Sequence, residues 1–115
     1  VLDLIQLTPK DGAMVKSAGP APKEQVIDAA GYQSLDLVLT ALNLGGSLTV
    51  RVETALTQDE VQWQSLGVFT PLVAVATTDR RRFDGVLRFL RWKVDALDGD
   101  GAAFTIAGLI GPSRE

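Results

Sequence analysis

The chain has 115 residues and a mass of 12.3 kDa, the size of one ordinary domain with a single core. Cysteine and histidine are both absent, which excludes thiol nucleophiles, imidazole bases, haem ligation and zinc sites built from those ligands. The net charge is −3, a balance that argues against a general nucleic-acid binder, while 46% hydrophobic and 22% charged residues are the proportions of a folded domain.

Residues 1–7 read as a strand. They carry Asp3 and Gln6 and lack the basic start and small-residue cleavage site of a signal peptide; a leader before Val1 is left open. Thr8, Pro9, Lys10, Asp11 and Gly12 form a turn, and residues 13–17 a short strand. The connector Ala18-Gly19-Pro20-Ala21-Pro22 is broken by prolines that no helix or central strand accommodates, and it suits an arm reaching a neighbour. Residues 25–28 add a short strand.

The clearest periodicity begins at Ser34. Leu35, Leu37, Leu39 and Ala41 alternate with Asp36, Val38 and Thr40, the period of two that marks a half-buried strand. Asn43-Leu44-Gly45-Gly46 supplies turn chemistry, and Leu48, Val50 and Val52 alternate beyond it, so the two segments are expected to pair as a hairpin. A polar turn, Thr57 to Glu60, precedes a strand over residues 61–69. Residues 74–90 have a competing helical reading, which Thr77, Thr78 and Gly85 oppose. Residues 86–96 form the next strand, with Leu90, Trp92, Val94 and Ala96 on one side. Asp98-Gly99-Asp100-Gly101 turns the chain into a last strand whose inward side carries Phe104, Ile106 and Gly108.

Seven or eight strands spaced by turns, with no convincing amphipathic helix, predict an all-β fold, a single antiparallel sandwich of jelly-roll type. An N-terminal strand and connector over residues 1–27 lead into a sandwich core over residues 28–110. The expected core is Leu35, Leu37, Leu39, Val50, Val52, Leu90, Trp92, Val94 and Ile106. No apolar run approaches the roughly 20 residues that a membrane-spanning helix needs, so no membrane insertion is expected. The lack of cysteine fits a reducing compartment and equally a protein indifferent to redox, and localisation stays open.

The succession of segments itself carries a likeness. Asp28-Ala29-Ala30-Gly31-Tyr32-Gln33-Ser34-Leu35 leads into the alternating strand, followed by Val50-Arg51-Val52-Glu53-Thr54-Ala55. An acidic turn precedes Trp63 and Leu66-Gly67-Val68-Phe69-Thr70. Leu87-Arg88-Phe89-Leu90-Arg91-Trp92-Lys93-Val94 and Phe104-Thr105-Ile106-Ala107-Gly108 complete it. Over residues 28–110 this resembles the small jelly-roll sandwiches among structural proteins of tailed bacteriophages, prophages and related particles. It is more loosely similar to galactose-binding-like, discoidin-type jelly rolls. The resemblance implies an assembly or attachment module and transfers no functional residue.

Three features invite chemistry. Asp98 and Asp100 have the spacing that opens a calcium loop; a plain hairpin turn is the expectation, and a calcium site recruiting Asp59 or Glu60 the alternative. Arg80-Arg81-Arg82 is the densest charge cluster, read as a solvated or self-paired loop, with a subunit or partner contact next. Trp92 belongs to the core, whereas Trp63 between Gln62 and Gln64 is either core or a stacking platform for a sugar. Adjacent carboxylates such as Asp59 and Glu60 sit on one turn and do not flank a cleft.

The expected function is therefore non-enzymatic: a subunit or decoration protein of a phage-like or virus-like particle, needing no cofactor, metal, nucleic acid or membrane. Its expected partners are itself, as a homo-oligomer, and a larger protein shell. Phe89, Pro71, Arg80, Arg81 and Arg82 are the candidate contacts. The alternative is a carbohydrate-binding module with Trp63, Gln62 and Gln64 as its platform.

Overall fold

A computed structural model describes residues 3–111. The described chain is an antiparallel β-sandwich with no α-helix. Its strands are β1 (Asp3–Gln6), β2 (Ala13–Val15), β3 (Gly19–Pro20), β4 (Ile27–Asp28), β5 (Ser34–Leu44), β6 (Leu48–Ala55), β7 (Gln64–Val68), β8 (Thr78–Asp84), β9 (Phe89–Leu97) and β10 (Ala102–Gly111). Sheet A has the order β1-β10-β5-β8, with β2 also on β10; sheet B has the order β3-β9-β6-β7, with β4 also on β9.

There are ten strand segments rather than seven or eight because both edges fed by the N-terminal third are interrupted. Asp3 to Gln6 and Ala13 to Val15 lie end to end along β10, separated by the Pro9 turn. Gly19-Pro20 and Ile27-Asp28 lie end to end along β9, separated by Pro22 and the 3-10 turn Lys23–Gln25. The proline connector is thus an edge piece laid on β9 rather than a free arm: the Ala21 amide donates to the Trp92 carbonyl at 2.9 Å. Proline is tolerated there because an edge residue turns one side of its backbone away from the ladder. Counting each interrupted edge once, the order is 1-8-3-6 in sheet A and 2-7-4-5 in sheet B, the winding expected of a jelly roll.

The expected hairpin of β5 and β6 does not form. β5 pairs with β10 and β8, and β6 with β9 and β7, so the turn between them carries the chain from one sheet to the other. The same holds for β9 and β10. Leucines on β5 and valines on β6 therefore face each other across the core instead of lying side by side in one sheet.

The expected core residues are all buried: Leu35, Leu37, Leu39, Val50, Val52, Leu90, Trp92, Val94 and Ile106 are each at most 2% exposed. Each large side chain so buried contributes on the order of 1.5–3 kcal/mol. Phe104 meets Trp92 edge to face with centroids 5.1 Å apart, and Phe69 meets Phe83 at 5.4 Å. Ala96 is the exception to the expected inward row. Pairing shifts between Thr49 and Val50, which face Ala96 and Val94, so Asp95 is an extra residue, and the bulge turns Ala96 outward and Leu97 toward the core.

Residues 78–84 form an edge strand rather than the loop expected around the arginines. Phe83 enters the core while the charged residues line the outside, a common way to blunt a sheet edge.

Candidate functional site

The arginine cluster of the sequence is satisfied within the molecule. Arg80 grips Asp36 on the neighbouring strand, its Nε donating at 2.9 Å and its Nη2 at 2.5 Å. Arg81 donates to Asp79 at 3.1 Å and to the Thr70 hydroxyl at 2.6 Å, and the Thr70 amide donates to Asp79 at 2.7 Å. Arg82 lies 3.7 Å from Asp84. The triplet is self-paired, as the sequence suggests. Strand alternation divides it, with Arg80 and Arg82 on the outer face of sheet A and Arg81 turned to the connection after β7.

Arg80 holds the Asp36 carboxyl below the usual carboxylate range, chiefly by donating to it. A depressed folded value means stability present above the unfolded value of about 3.9 and lost as pH falls through the folded one. Asp36→Asn should accordingly lower the melting temperature near neutral pH. The difference should vanish once the pH is well below about 3.9; melts of both proteins across that range check it.

Asp98 and Asp100 lie at the end of the sandwich that carries the 45–47 and 69–77 connections. Asp59 and Glu60 lie at the other end, on the connection after Ala55, which removes the shared calcium site. The Ser47 hydroxyl donates to Asp98 at 2.7 Å, and the Asp98 amide to the Ser47 carbonyl at 3.0 Å. Gly99, at φ +90°, lies so close to Gly45 that a Cβ would fall 2.4 Å from its carbonyl carbon. The segment is a turn crossing between sheets, not a hairpin turn, and it is tied to its neighbour. Among the described residues no three His, Cys, Asp or Glu side chains are grouped to hold a metal. Melts with calcium and with chelator should coincide, and an upward shift of many degrees with calcium would make ligands of Asp98 and Asp100.

Phe89 is half-buried on the outer face of sheet B, with the Arg88 guanidinium 5.0 Å from its ring centre. Arg88 also lies 3.4 Å from Asp28. The Asp28 carboxyl is held below its ordinary range, first by the Ala30 amide and then by Arg88. Pro71 is exposed at the opposite end of the molecule. The candidate contacts Phe89, Pro71 and Arg80 to Arg82 therefore occupy different surfaces and form no single patch.

Trp63 follows the 3-10 turn Glu60–Gln62 and covers the Arg91 guanidinium, 4.3 Å from its ring centre. Arg91 donates to Glu53 at 2.7 Å, on the facing position of β6, and these side chains are 6% and 9% exposed. One ring face of Trp63 is thus occupied by protein, while Gln62 and Gln64 are exposed beside it. Trp63 is neither in the core between the sheets nor a bare platform. It closes a buried ion pair on the outside of sheet B.

The outer face of sheet A is different. Along β10, Ala103, Thr105, Ala107 and Leu109 point outward and carry no charge. Leu4 and Met14, 87% and 85% exposed, lie opposite Leu109 and Ala103 on the edge segments. Leu4, Ile5, Gln6, Ala107, Gly108 and Leu109 line a shallow open groove of about 490 Å³. Among the described strand residues, charge comes to this face from β5 and β8 alone, at Asp36, Arg80, Arg82 and Asp84. None of these apolar residues is singled out as a candidate contact by motif or periodicity. A signal for them exists: residues 102–111 contain no charge on either side, the pattern of a strand covered on both faces.

No family model matches the chain, and no curated protein matches it. Solved structures that share the fold include two of low sequence identity. One is the SPBc2 prophage-derived protein YomS, with a TM-score of 0.55 and 10% identity over 95% of each chain. The other is PirA, with a TM-score of 0.51 and 12% identity over 94% of this chain and 92% of that one.

Proposed function

We propose that this chain is a non-enzymatic assembly protein, a subunit or decoration protein of a phage-like particle that docks through the outer face of sheet A. The observation that carries the reading is the unlike character of the two outer faces. Sheet B offers Arg51 paired with Asp95 at 2.9 Å, Arg91 paired with Glu53, and Lys93, a face charged along both of its central strands. Sheet A offers an uncharged central strand flanked by exposed Leu4 and Met14, the composition of an interface core rather than of open surface. The shared fold of the prophage-derived protein agrees with such a role. In this reading the chain uses no cofactor, nucleic acid or membrane.

The test is co-sedimentation from the native source. The chain is expected in the particle fraction, and Leu109→Lys or Met14→Glu should release it without lowering its melting temperature. Recovery only as a small species that binds a defined glycan would overturn the reading in favour of a carbohydrate-binding module.

A further inference from the structure

A sandwich of two open sheets has four edges, and three of them here are guarded. β8 carries three arginines and two aspartates. The β3 and β4 edge is broken around Pro20 and Pro22. β7 is bulged at Leu66, where pairing jumps from Gly67 to Ser65. Bulges, prolines and charges are the usual protections against unwanted strand pairing. β1 has neither bulge nor proline within its four residues, and its one charge, Asp3, lies at the end of the strand: its register with β10 runs unshifted from Asp3 opposite Ile110 to Gln6 opposite Ala107.

The register also identifies the free groups. The Leu7 amide donates to the Ile106 carbonyl at 2.8 Å, so the bonded positions of an antiparallel ladder recur every second residue, at Leu7, Ile5 and Asp3. Leu4 and Gln6 therefore turn their amides and carbonyls away from β10, toward an edge that no strand covers among the described residues. Their side chains are exposed on the outer face, while Ile5 points inward, half-buried against the core.

We propose that two copies of this chain join edge to edge through β1, antiparallel about a two-fold axis at Ile5. This deepens the assembly reading and rests on it. Pairing Leu4 with Gln6 of the second copy, and the reverse, uses the free groups of both strands in about four hydrogen bonds. Ile5 then faces Ile5 of the second copy in the closer, non-bonded position and extends the apolar core across the axis. Charge permits it: the two Asp3 carboxylates are carried to opposite ends of the pair, roughly four residues or 13 Å apart, beyond the screening length of about 8 Å at physiological salt. The same operation on β8 would bring arginines together. The contact is short, so the dimer belongs to the small, reversible class of interfaces and grows with concentration.

Two experiments on the full chain test this. Sedimentation across a concentration series up to about 1 mM should show the mass rising toward two chains. Gln6→Pro should hold the mass at one chain with nearly unchanged melting at low concentration, because it removes an outward amide from an edge strand and one exposed side-chain bond, from Gln6 Nε2 to the Pro9 carbonyl at 3.2 Å. In this cysteine-free chain, Ile5→Cys should oxidise to a disulfide-linked dimer, since facing non-bonded residues lie about 4.5 Å apart between Cα atoms, within disulfide range. Leu4→Cys should link far less. A constant mass of one chain, or a dimer untouched by Gln6→Pro, overturns the proposal. Particle co-sedimentation that survives Gln6→Pro would leave the docking reading standing, so the two can fail separately.

Discussion

Trp92→Ala lowers the free energy of unfolding by about 3–5 kcal/mol, the usual cost of emptying a large aromatic site. The indole is 2% exposed, stacks edge to face on Phe104 and donates from Nε1 to the Gln25 side chain at 3.0 Å. It thus ties β9 to the opposite sheet and to the 3-10 turn beside the β3 and β4 edge. Since domains of this size are stable by roughly 5–15 kcal/mol, the variant should melt far lower or fail to accumulate folded. Trp92→Phe keeps a ring beside Phe104 and loses the Gln25 bond, so it should fold and fall between the two. Denaturant unfolding of all three gives the order, and a Trp92→Ala midpoint near that of the parent would remove Trp92 from its central place in the core.

Arg91→Met should cost a comparable amount, about 3–5 kcal/mol, because it leaves the Glu53 carboxylate buried without the cation that compensates it. The loss should exceed anything seen on breaking Arg80 and Asp36, which are 73% and 30% exposed at the side chain and gain little from pairing in water. Replacing both partners, Arg91→Met with Glu53→Leu, should recover most of the stability, since neither charge then has to be desolvated. The double-mutant cycle reads the coupling directly. Additive costs in that cycle would show that Trp63 packing, rather than the ion pair, holds this part of sheet B.

Local chemistry announced most of the strands. Leu35, Leu37 and Leu39 alternate with polar or smaller neighbours because one side of β5 packs on the core, and the same logic found β6, β9 and β10. It did not find β8, whose Arg80, Arg81 and Arg82 read as loop. An edge strand needs only one buried anchor, here Phe83, and its charges serve to keep other strands away. Nor did it find the short edge pieces exactly, since two-residue pairing at Gly19 and Pro20 is imposed by β9 and not by local preference.

Periodicity and turn residues determined that this chain is an antiparallel β-sandwich with Trp92 at its centre, because a period of two needs only short-range order and one apolar side. Which strands became neighbours was decided by the tertiary structure. The turn at Asn43 to Gly46 has the same residues whether the strands it joins pair or part, and only the packing of leucines on valines across the core sends β5 and β6 into opposite sheets. The same nonlocal choice placed Leu4 beside Leu109 and Met14 beside Ala103, 105 and 89 residues apart in the chain, and so created an uncharged outer face from residues that look unremarkable in sequence. Register, too, is a tertiary property: it turned the backbone of Leu4 and Gln6 outward and left Ile5 facing the core at an open edge.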